Sequence, residues 1–389
     1  MGSPRSVPSL TDDLLEEIFV RIGSPADLAR ASTACVAFNR LIADPTFLLR
    51  YRSLHPPLLL GLIDAEGRGF QPAEAPPPSA ALGRAAALAA DFSFEDYLPR
   101  VTGSRWQVRD VRDGRVLIEC LYEEEEDEEV IFFSDLAVCD PLARRYLLLP
   151  PIPDALVAPV KMHEYHVEDS EAFLVPSRYE GDGTSFRVLV RMVFTERLVT
   201  FIFSSDSGRW SAGTSVSWDA LGIQDLEEDC VMVCSSYVYG CFYWKISYQE
   251  KWIKLDMSTM EIYAVDLPVG HDVSGIMIVE AGEGWIGLFG RIKGCNSLFY
   301  TTTRQIGGES YNQLEVDHVI PLTVGFNHYI CGPYEGHIFI NGYQPPDKWD
   351  DMCFMIEIKT LKLERVCQKK FLYAYPYFGF PPSMSQWRI

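Results

Sequence analysis

The sequence predicts an α+β protein of two domains. A small helical domain occupies residues 1–55, and an all-β domain, a six-bladed β-propeller with seven blades as the alternative, occupies residues 105–389. Three observations predict it. Apolar residues recur every four positions near the N-terminus. From Arg105 onward short β-rich runs alternate with turn residues. One strand–turn–strand unit returns with a period of about fifty residues. Residues 56–104 lead from one domain into the other, and the strand at 58–63 counts with the β domain.

In the first helix Leu10, Leu14, Ile18 and Ile22 stand four apart, with Leu15 and Phe19 beside them, which makes one apolar stripe. Thr11 is placed to cap this helix, and Asp12 and Asp13 suit its positive end. The second helix has a sharper start: Ser24 as N-cap, Pro25 at the first helical position, and Asp27 three residues after the cap. Its apolar face is Leu28, Ala31 and Cys35. A third segment carries Phe38, Leu41 and Ile42. Asp44-Pro45 repeats the cap-and-proline signal ahead of Phe47, Leu48 and Tyr51. A chain of about 45 residues is close to the limit for an independent fold. Helices this short cannot bury all of these side chains among themselves. The remaining apolar surface calls for a partner, either the rest of the chain, which the helices would then cap, or another protein.

The run from Leu10 through Leu14-Leu15, Ile18-Phe19 and Ile22, then Ser24-Pro25, Leu28, Cys35, Phe38, Arg40-Leu41-Ile42, Asp44-Pro45 and Phe47 resembles the F-box, in order and without gaps. Two positions depart from that family's pattern: Thr11 stands where it usually has Pro, and Phe38 where it usually has Trp. Thr still suits a helix start, and Phe still fills an aromatic pocket. The resemblance implies binding to a Skp1-type adaptor and, through it, to a cullin ligase. Leu10, Leu14, Ile18, Ile22, Pro25, Leu28 and Phe38 are then the adaptor face or its support.

After His55-Pro56-Pro57 comes a short strand, Leu58 to Ile63. The Ala-, Pro- and Gly-rich stretch Ala65 to Ala90 reads as a surface loop, with a helical turn at Ala85 to Ala90. Beyond Arg105, hairpins are predicted for Val188 to Phe194 with Leu198 to Phe203, Ile276 to Val279 with Trp285 to Phe289, Phe326 to Cys331 with His337 to Ile340, and Cys353 to Ile358 with Lys362 to Val366. Cys241 to Ile246, Trp252 to Asp256 and Glu261 to Val265 form a further set. The repeating unit is marked by Asp140, Asp206, Asp256 and Lys359, with a degenerate copy expected near Thr301 to Gly307. Tyr248-Gln249 with Lys251-Trp252 echoes Tyr343-Gln344 with Lys348-Trp349. A period near fifty with about four strands in each unit is propeller spacing of the kelch kind; a pair of β-sandwiches is the rival. Val138 to Pro151 and Phe371 to Pro382 also resemble the C-terminal domains of grass F-box proteins.

Charge narrows the partners. The net charge is −20. Residues 1–55 carry six acids and six arginines, so the excess lies beyond them. An acidic body repels phosphate backbones, so nucleic acid is not expected as a partner. The run Glu123 to Glu129 reads as a solvated loop, with a dock for a basic partner as the sharper reading. No apolar run is long enough for a membrane span, and the N-terminus has no secretory h-region. The ten cysteines are scattered and read as reduced thiols of a cytoplasmic or nuclear protein. Met1-Gly2-Ser3-Pro4-Arg5-Ser6 fits only the loose myristoylation pattern.

Other motifs lead nowhere. Gly282-Glu283-Gly284-Trp285-Ile286-Gly287 matches a dinucleotide-binding string but is followed by strand residues instead of a helix. His163 and His166 with Glu164 and Glu168, and Cys230 with Cys234, lack the second half of a metal motif. No GxSxG elbow occurs. No catalytic residue, metal or cofactor is therefore expected. The expected function is a substrate-recognition adaptor of a Skp1–cullin–F-box ubiquitin ligase, with a target protein held at one mouth of the propeller. Loop aromatics such as Tyr248, Tyr343 and Trp349 are offered as target contacts. The alternatives are a Skp1-bound scaffold outside any ligase, and a propeller enzyme with a helical cap.

Overall fold

The computed structural model describes residues 10–379 apart from 24, 56, 95–97, 100–102, 123–133, 143, 162–166, 177–184, 225–231, 248–250, 267–274, 292–295, 305–315, 325, 345–347 and 372. Four helices come first: α1 (Asp12–Phe19), α2 (Pro25–Ser32), α3 (Val36–Ile42) and α4 (Pro45–Leu54). Asp44 caps α4 through its carboxylate, 2.8 Å from the Thr46 amide, with Pro45 inside the first turn. Thr11 has the extended backbone of an N-cap, but its hydroxyl caps nothing. Cys35 does not lie on the apolar face of α2. That helix ends at Ser32, and Cys35 is the exposed residue that opens α3.

The β domain is a six-bladed propeller. Five four-stranded antiparallel sheets follow one another along the chain. Blade 1 is Ser104–Arg112, Arg115–Tyr122, Leu136–Asp140 and Arg145–Leu148; blade 2 is Val167–Val175, Arg187–Phe194, Arg197–Ser204 and Arg209–Ser217. Blade 3 is Met232–Val238, Cys241–Ile246, Lys251–Asp256 and Ile262–Asp266; blade 4 is Met277–Gly282, Trp285–Arg291, Ser297–Thr303 and His318–Pro321. Blade 5 is Asn327–Tyr334, His337–Gln344, Lys348–Glu357 and Lys362–Gln368. Blade 6 closes the ring with strands from both ends of the domain: Ala374–Gly379 pairs with Leu58–Asp64, which pairs with Phe70–Pro72. Closure joins the two ends of the domain, and the radial arrangement leaves each blade only short edges, one at the axis and one at the rim.

The packing explains why these strands read as apolar runs. Each blade has a neighbour on both faces, so successive residues are buried against different partners. In blade 2, Ala172 and Leu174 join a core shared with Leu117 and Val138 of blade 1. Phe173 and Val175 join one shared with Phe242 and Trp244 of blade 3. The same arrangement recurs between blades 3 and 4, 4 and 5, 5 and 6, and 6 and 1. The period near fifty is the blade repeat. Asp140, Asp206, Asp256 and Lys359 all lie at the turn between the third and fourth strands of their blades. In blade 4 the third strand ends at Thr303 and the fourth begins only at His318, which is why that copy is degenerate.

The stretch Ala65 to Ala90 is not a surface loop. It contains the strand Phe70–Pro72 and a thirteen-residue helix, α5 (Pro77–Ala89), which packs on blade 6. Gly83 permits the close approach, since a Cβ there would sit 2.1 Å from the Leu60 carbonyl oxygen. Ala86, with Phe92 and Phe94 beyond the helix, completes the core between blades 6 and 1. Alanine and proline suggest a linker by composition, but small side chains also let a helix lie flat on a sheet.

Candidate interaction surfaces

The seven residues singled out on the helices separate by burial. Leu15, Phe19 and Ile22 follow the i, i+4, i+7 line of α1 and its exit toward the helical core, where Phe19, Val20, Leu28, Leu41, Ile42, Phe47 and Tyr51 are buried. Leu10, Leu14 and Ile18 stand one residue, about 100°, away from that line. They are 52%, 52% and 48% exposed, and Val36 at the start of α3 is 87% exposed. Ile22 is half-buried, and so is Phe38, whose ring meets Phe19 edge-on at 4.9 Å. Leu28 is wholly buried, a support and not a face. Pro25 opens α2.

Polar contacts brace the unit. The Tyr51 hydroxyl donates to the Ile22 carbonyl at 2.7 Å, and His55 Nε2 lies 2.7 Å from the Val20 carbonyl. Arg40 pairs with Asp12 at 2.9 Å, and Arg50 pairs with Glu17, holding the Glu17 carboxyl below its ordinary range. The charged residues thus grip neighbouring helices while the aliphatic stripe on α1 is left half open to solvent.

The second surface is a cleft of about 410 Å³ at one mouth of the propeller. The inner strands of blades 1, 3, 4 and 5 end here and turn outward through two-residue hairpins: Asp113-Gly114, Tyr239-Gly240, Glu283-Gly284 and Glu335-Gly336. Both residues of each pair have positive φ, from 44° to 55° at the first and 72° to 79° at the glycine. That is the type I′ geometry that matches strand twist. Aspartate is a common first residue in such turns; tyrosine and glutamate are not, and each holds a left-handed backbone that strains a side chain.

Tyr237, Tyr239, Tyr334 and His337 wall the cleft, and Glu280, Glu283, Glu335 and Glu357 line it. Tyr239 is fixed across two blades: its amide donates to Glu280 Oε1 at 3.0 Å, its hydroxyl donates to the Trp285 carbonyl at 3.1 Å, and the Gly282 amide donates back to that hydroxyl at 3.1 Å. Arg112 pairs with Asp110 at 2.9 Å. Burial opposes the guanidinium charge, but the carboxylate outweighs burial and raises its pKa. Asp110 also accepts the Leu174 amide from blade 2 at 3.0 Å. His337 is stacked on Phe378, and its Nδ1 lies 3.0 Å from the Glu335 carbonyl, which fixes that nitrogen as a donor. Burial pushes the imidazole below its usual range, so the ring is neutral at pH 7.

The helices join the propeller at this same mouth. Leu58, four residues after the end of α4, pairs with Gly379, the outgoing end of the inner strand of blade 6. That end meets the blade 1 hairpin, where the Tyr377 hydroxyl donates to the Gly114 carbonyl at 3.2 Å. Tyr343 lies instead in a strand of blade 5, opposite Asn327 at the other mouth, and Trp349 lies in the next strand; neither is in a loop. Tyr248, the run Glu123 to Glu129, His163, His166 and Cys230 lie outside the described residues. Gly282 to Gly284 is a hairpin with strands on both sides. Among the described residues no group of side chains could hold a metal ion, no disulfide forms, and no helix is long and apolar enough to cross a membrane.

No protein-family model and no curated protein matches the chain. Solved structures similar to it include TolB from Acinetobacter baumannii, at 8% identity and a TM-score of 0.36, over 70% of this chain and 56% of that one. The six-bladed lectin of the fungus Aleuria aurantia, with its fucose recognition mode, matches at 11% identity and a TM-score of 0.34, over 67% and 77%. An oligogalacturonate lyase from Vibrio parahaemolyticus matches at 9% and 0.33, over 67% and 64%. The chain thus spans just over half of TolB's length. These proteins include a lectin and a lyase, and a likeness this distant says nothing of activity.

Proposed function

We propose that the protein is the target-binding receptor of a Skp1–cullin–F-box ubiquitin ligase. Helices α1–α4 dock a Skp1-type adaptor, which brings the cullin, and the propeller holds the protein to be modified. The chain performs no chemistry itself; it supplies proximity and orientation for ubiquitin transfer by its partners. The observation that carries this reading is the row Leu10, Leu14 and Ile18. It is left half exposed by a helical unit that already has a core, in a sequence that resembles the F-box throughout. Burying the exposed half of three such side chains against a partner is worth about 2–4 kcal/mol in all, half of the roughly 1.5–3 kcal/mol that full burial of each would give.

The test is co-purification from plant extract. A Skp1-type adaptor and a cullin are expected with the wild-type chain, and neither with Leu14→Arg, which places an unpaired charge in the interface. Adaptor binding that survives Leu14→Arg overturns the reading. Adaptor without cullin turns the protein into a scaffold outside the ligase.

A further inference from the structure

The cleft at the helix-bearing mouth has a chemistry of its own. Its volume of about 410 Å³ lies within the usual range of ligand sites, roughly 300–1,000 Å³. Four glutamates line it. Of the two cations among the lining residues, Arg112 is matched by Asp110, which leaves Lys359 on the rim. His337 is neutral at pH 7 and adds no positive charge. The cleft therefore carries net negative charge between low-dielectric walls, an arrangement that focuses the field on whatever enters. The walls are tyrosines, whose ring faces attract cations. Two glutamates, Glu283 and Glu335, occupy hairpin positions where asparagine, aspartate or glycine would fold with less strain.

We infer that this cleft binds an extended, lysine- or arginine-bearing segment of a partner protein, the cationic side chains entering between Tyr237, Tyr239 and Tyr334 toward Glu280, Glu283, Glu335 and Glu357. The aliphatic stems pack on the rings while the charged heads meet carboxylates, as long basic side chains commonly do. Within the receptor reading, on which only the fate of the bound segment rests, this is the recognition site for the target. It lies on the face of the propeller from which the helices emerge.

The experiment uses the full chain and a fluorescein-labelled peptide alternating lysine and serine, with its glutamate–serine counterpart as control. The lysine peptide should bind, the glutamate peptide should not, and rising salt should weaken the complex, as it does for exposed charge pairs. The double variant Glu283→Lys, Glu335→Lys should weaken lysine-peptide binding by about tenfold or more. Glu283→Gln with Glu335→Gln, which changes neither size nor turn, should weaken it in the same direction, so that misfolding cannot account for the loss. A third variant replaces Glu123 to Glu129 by glycine and serine and should bind the peptide as wild type does. Equal binding of the two peptides, binding unchanged in both cleft variants, or binding lost with the Glu123 to Glu129 run each overturns the inference. Adaptor co-purification, measured on the same proteins, should be untouched by every cleft variant, so the docking reading stands or falls separately.

Discussion

The helical unit and the propeller treat apolar surface differently. Helices α1–α4 enclose a small core around Phe19, Leu28, Ile42 and Tyr51 but leave Leu10, Leu14 and Ile18 about half exposed and Val36 almost fully so. The propeller wedges six apolar cores between six blades and joins its own ends through Leu58–Asp64 and Ala374–Gly379. A ring of blades covers the apolar faces of its sheets internally, whereas a handful of short helices cannot cover all of theirs. The helices therefore present an apolar face, and the propeller presents a polar and aromatic cleft. The difference teaches that the two surfaces are of different kinds: one offers apolar area, the other charge.

The largest effect should come from breaking the ring. At Gly83 any side chain meets the Leu60 carbonyl, a backbone atom with little freedom to move. Gly83→Val should lower propeller stability on the order of 4 kcal/mol, the upper range for overpacking. Urea titration followed by tryptophan fluorescence reads it out, because Trp244 and Trp252 are wholly buried in the propeller cores. A midpoint equal to wild type would mean that α5 is dispensable to blade 6.

Next comes a contrast within the helices. Leu28→Ala removes a fully buried side chain and should cost roughly 3 kcal/mol, enough to melt so small a unit while the propeller midpoint stays where it was. Leu14→Arg should change stability by less than about 0.5 kcal/mol, because half of that side chain already faces water. Circular dichroism of the helices against the propeller's fluorescence separates the two. If Leu14→Arg melts the helices as Leu28→Ala does, the stripe belongs to the core and is no docking face.

A smaller effect concerns pH and the mouth opposite the cleft. His328 in blade 5 is buried; its Nδ1 lies 3.2 Å from Asn296 Oδ1, and Phe326 and Phe354 flank its ring. Burial lowers its pKa first, and the nearby Arg291 guanidinium lowers it further. A histidine whose folded pKa is depressed binds fewer protons folded than unfolded. Its stability contribution is therefore intact above the unfolded value, near 6.5, and is lost as pH falls from there toward the folded value. The urea midpoint should fall between pH 7.5 and 5.5 and fall less in His328→Phe. Equal slopes would mean that His328 takes up protons in the folded protein as it does in the unfolded chain.

Much of this was legible in sequence, and the exceptions have physical reasons. The blade period could be read because Asp140, Asp206 and Asp256 each mark a short turn between the third and fourth strands of a blade. Every predicted hairpin pairs as expected, because strands buried on both faces leave continuous apolar runs. The helix α5 was hidden, since alanine and proline carry no amphipathic signal and Gly83 looks like a breaker until its contact with Leu60 is seen. The cleft was hidden more deeply. Glu283-Gly284 and Glu335-Gly336 are recognisable turns, yet only the ring closure places them beside Tyr239 and His337 from residues far apart in the chain. A recurring X-Gly pair at the end of four of the inner strands was the available signal. The half-exposed row Leu10, Leu14 and Ile18, by contrast, is local, and a period of four was enough to find it.

The smallest effect expected concerns the most conspicuous charge in the sequence. Seven consecutive acids from Glu123 to Glu129 follow the second strand of blade 1, which ends at Tyr122. Like charges in a row repel one another and gain little from folding, and exposed charges rarely contribute more than about 1 kcal/mol. Replacing the run by a short glycine–serine loop should shift stability by less than about 0.5 kcal/mol, with any shift toward greater stability at low salt, where the repulsion is least screened. Tyr122 and Asp135, which flank the run and share a hydrogen bond of 2.7 Å, stay in place in that variant. The comparison between the run and the cleft is what the measurement sharpens. The run is known by its charge alone; the cleft has charge with tyrosines and a defined volume. If the replacement abolishes target binding in a salt-dependent way while the cleft variants do not, then bare charge is the recognition element and the walls of the cleft are structural.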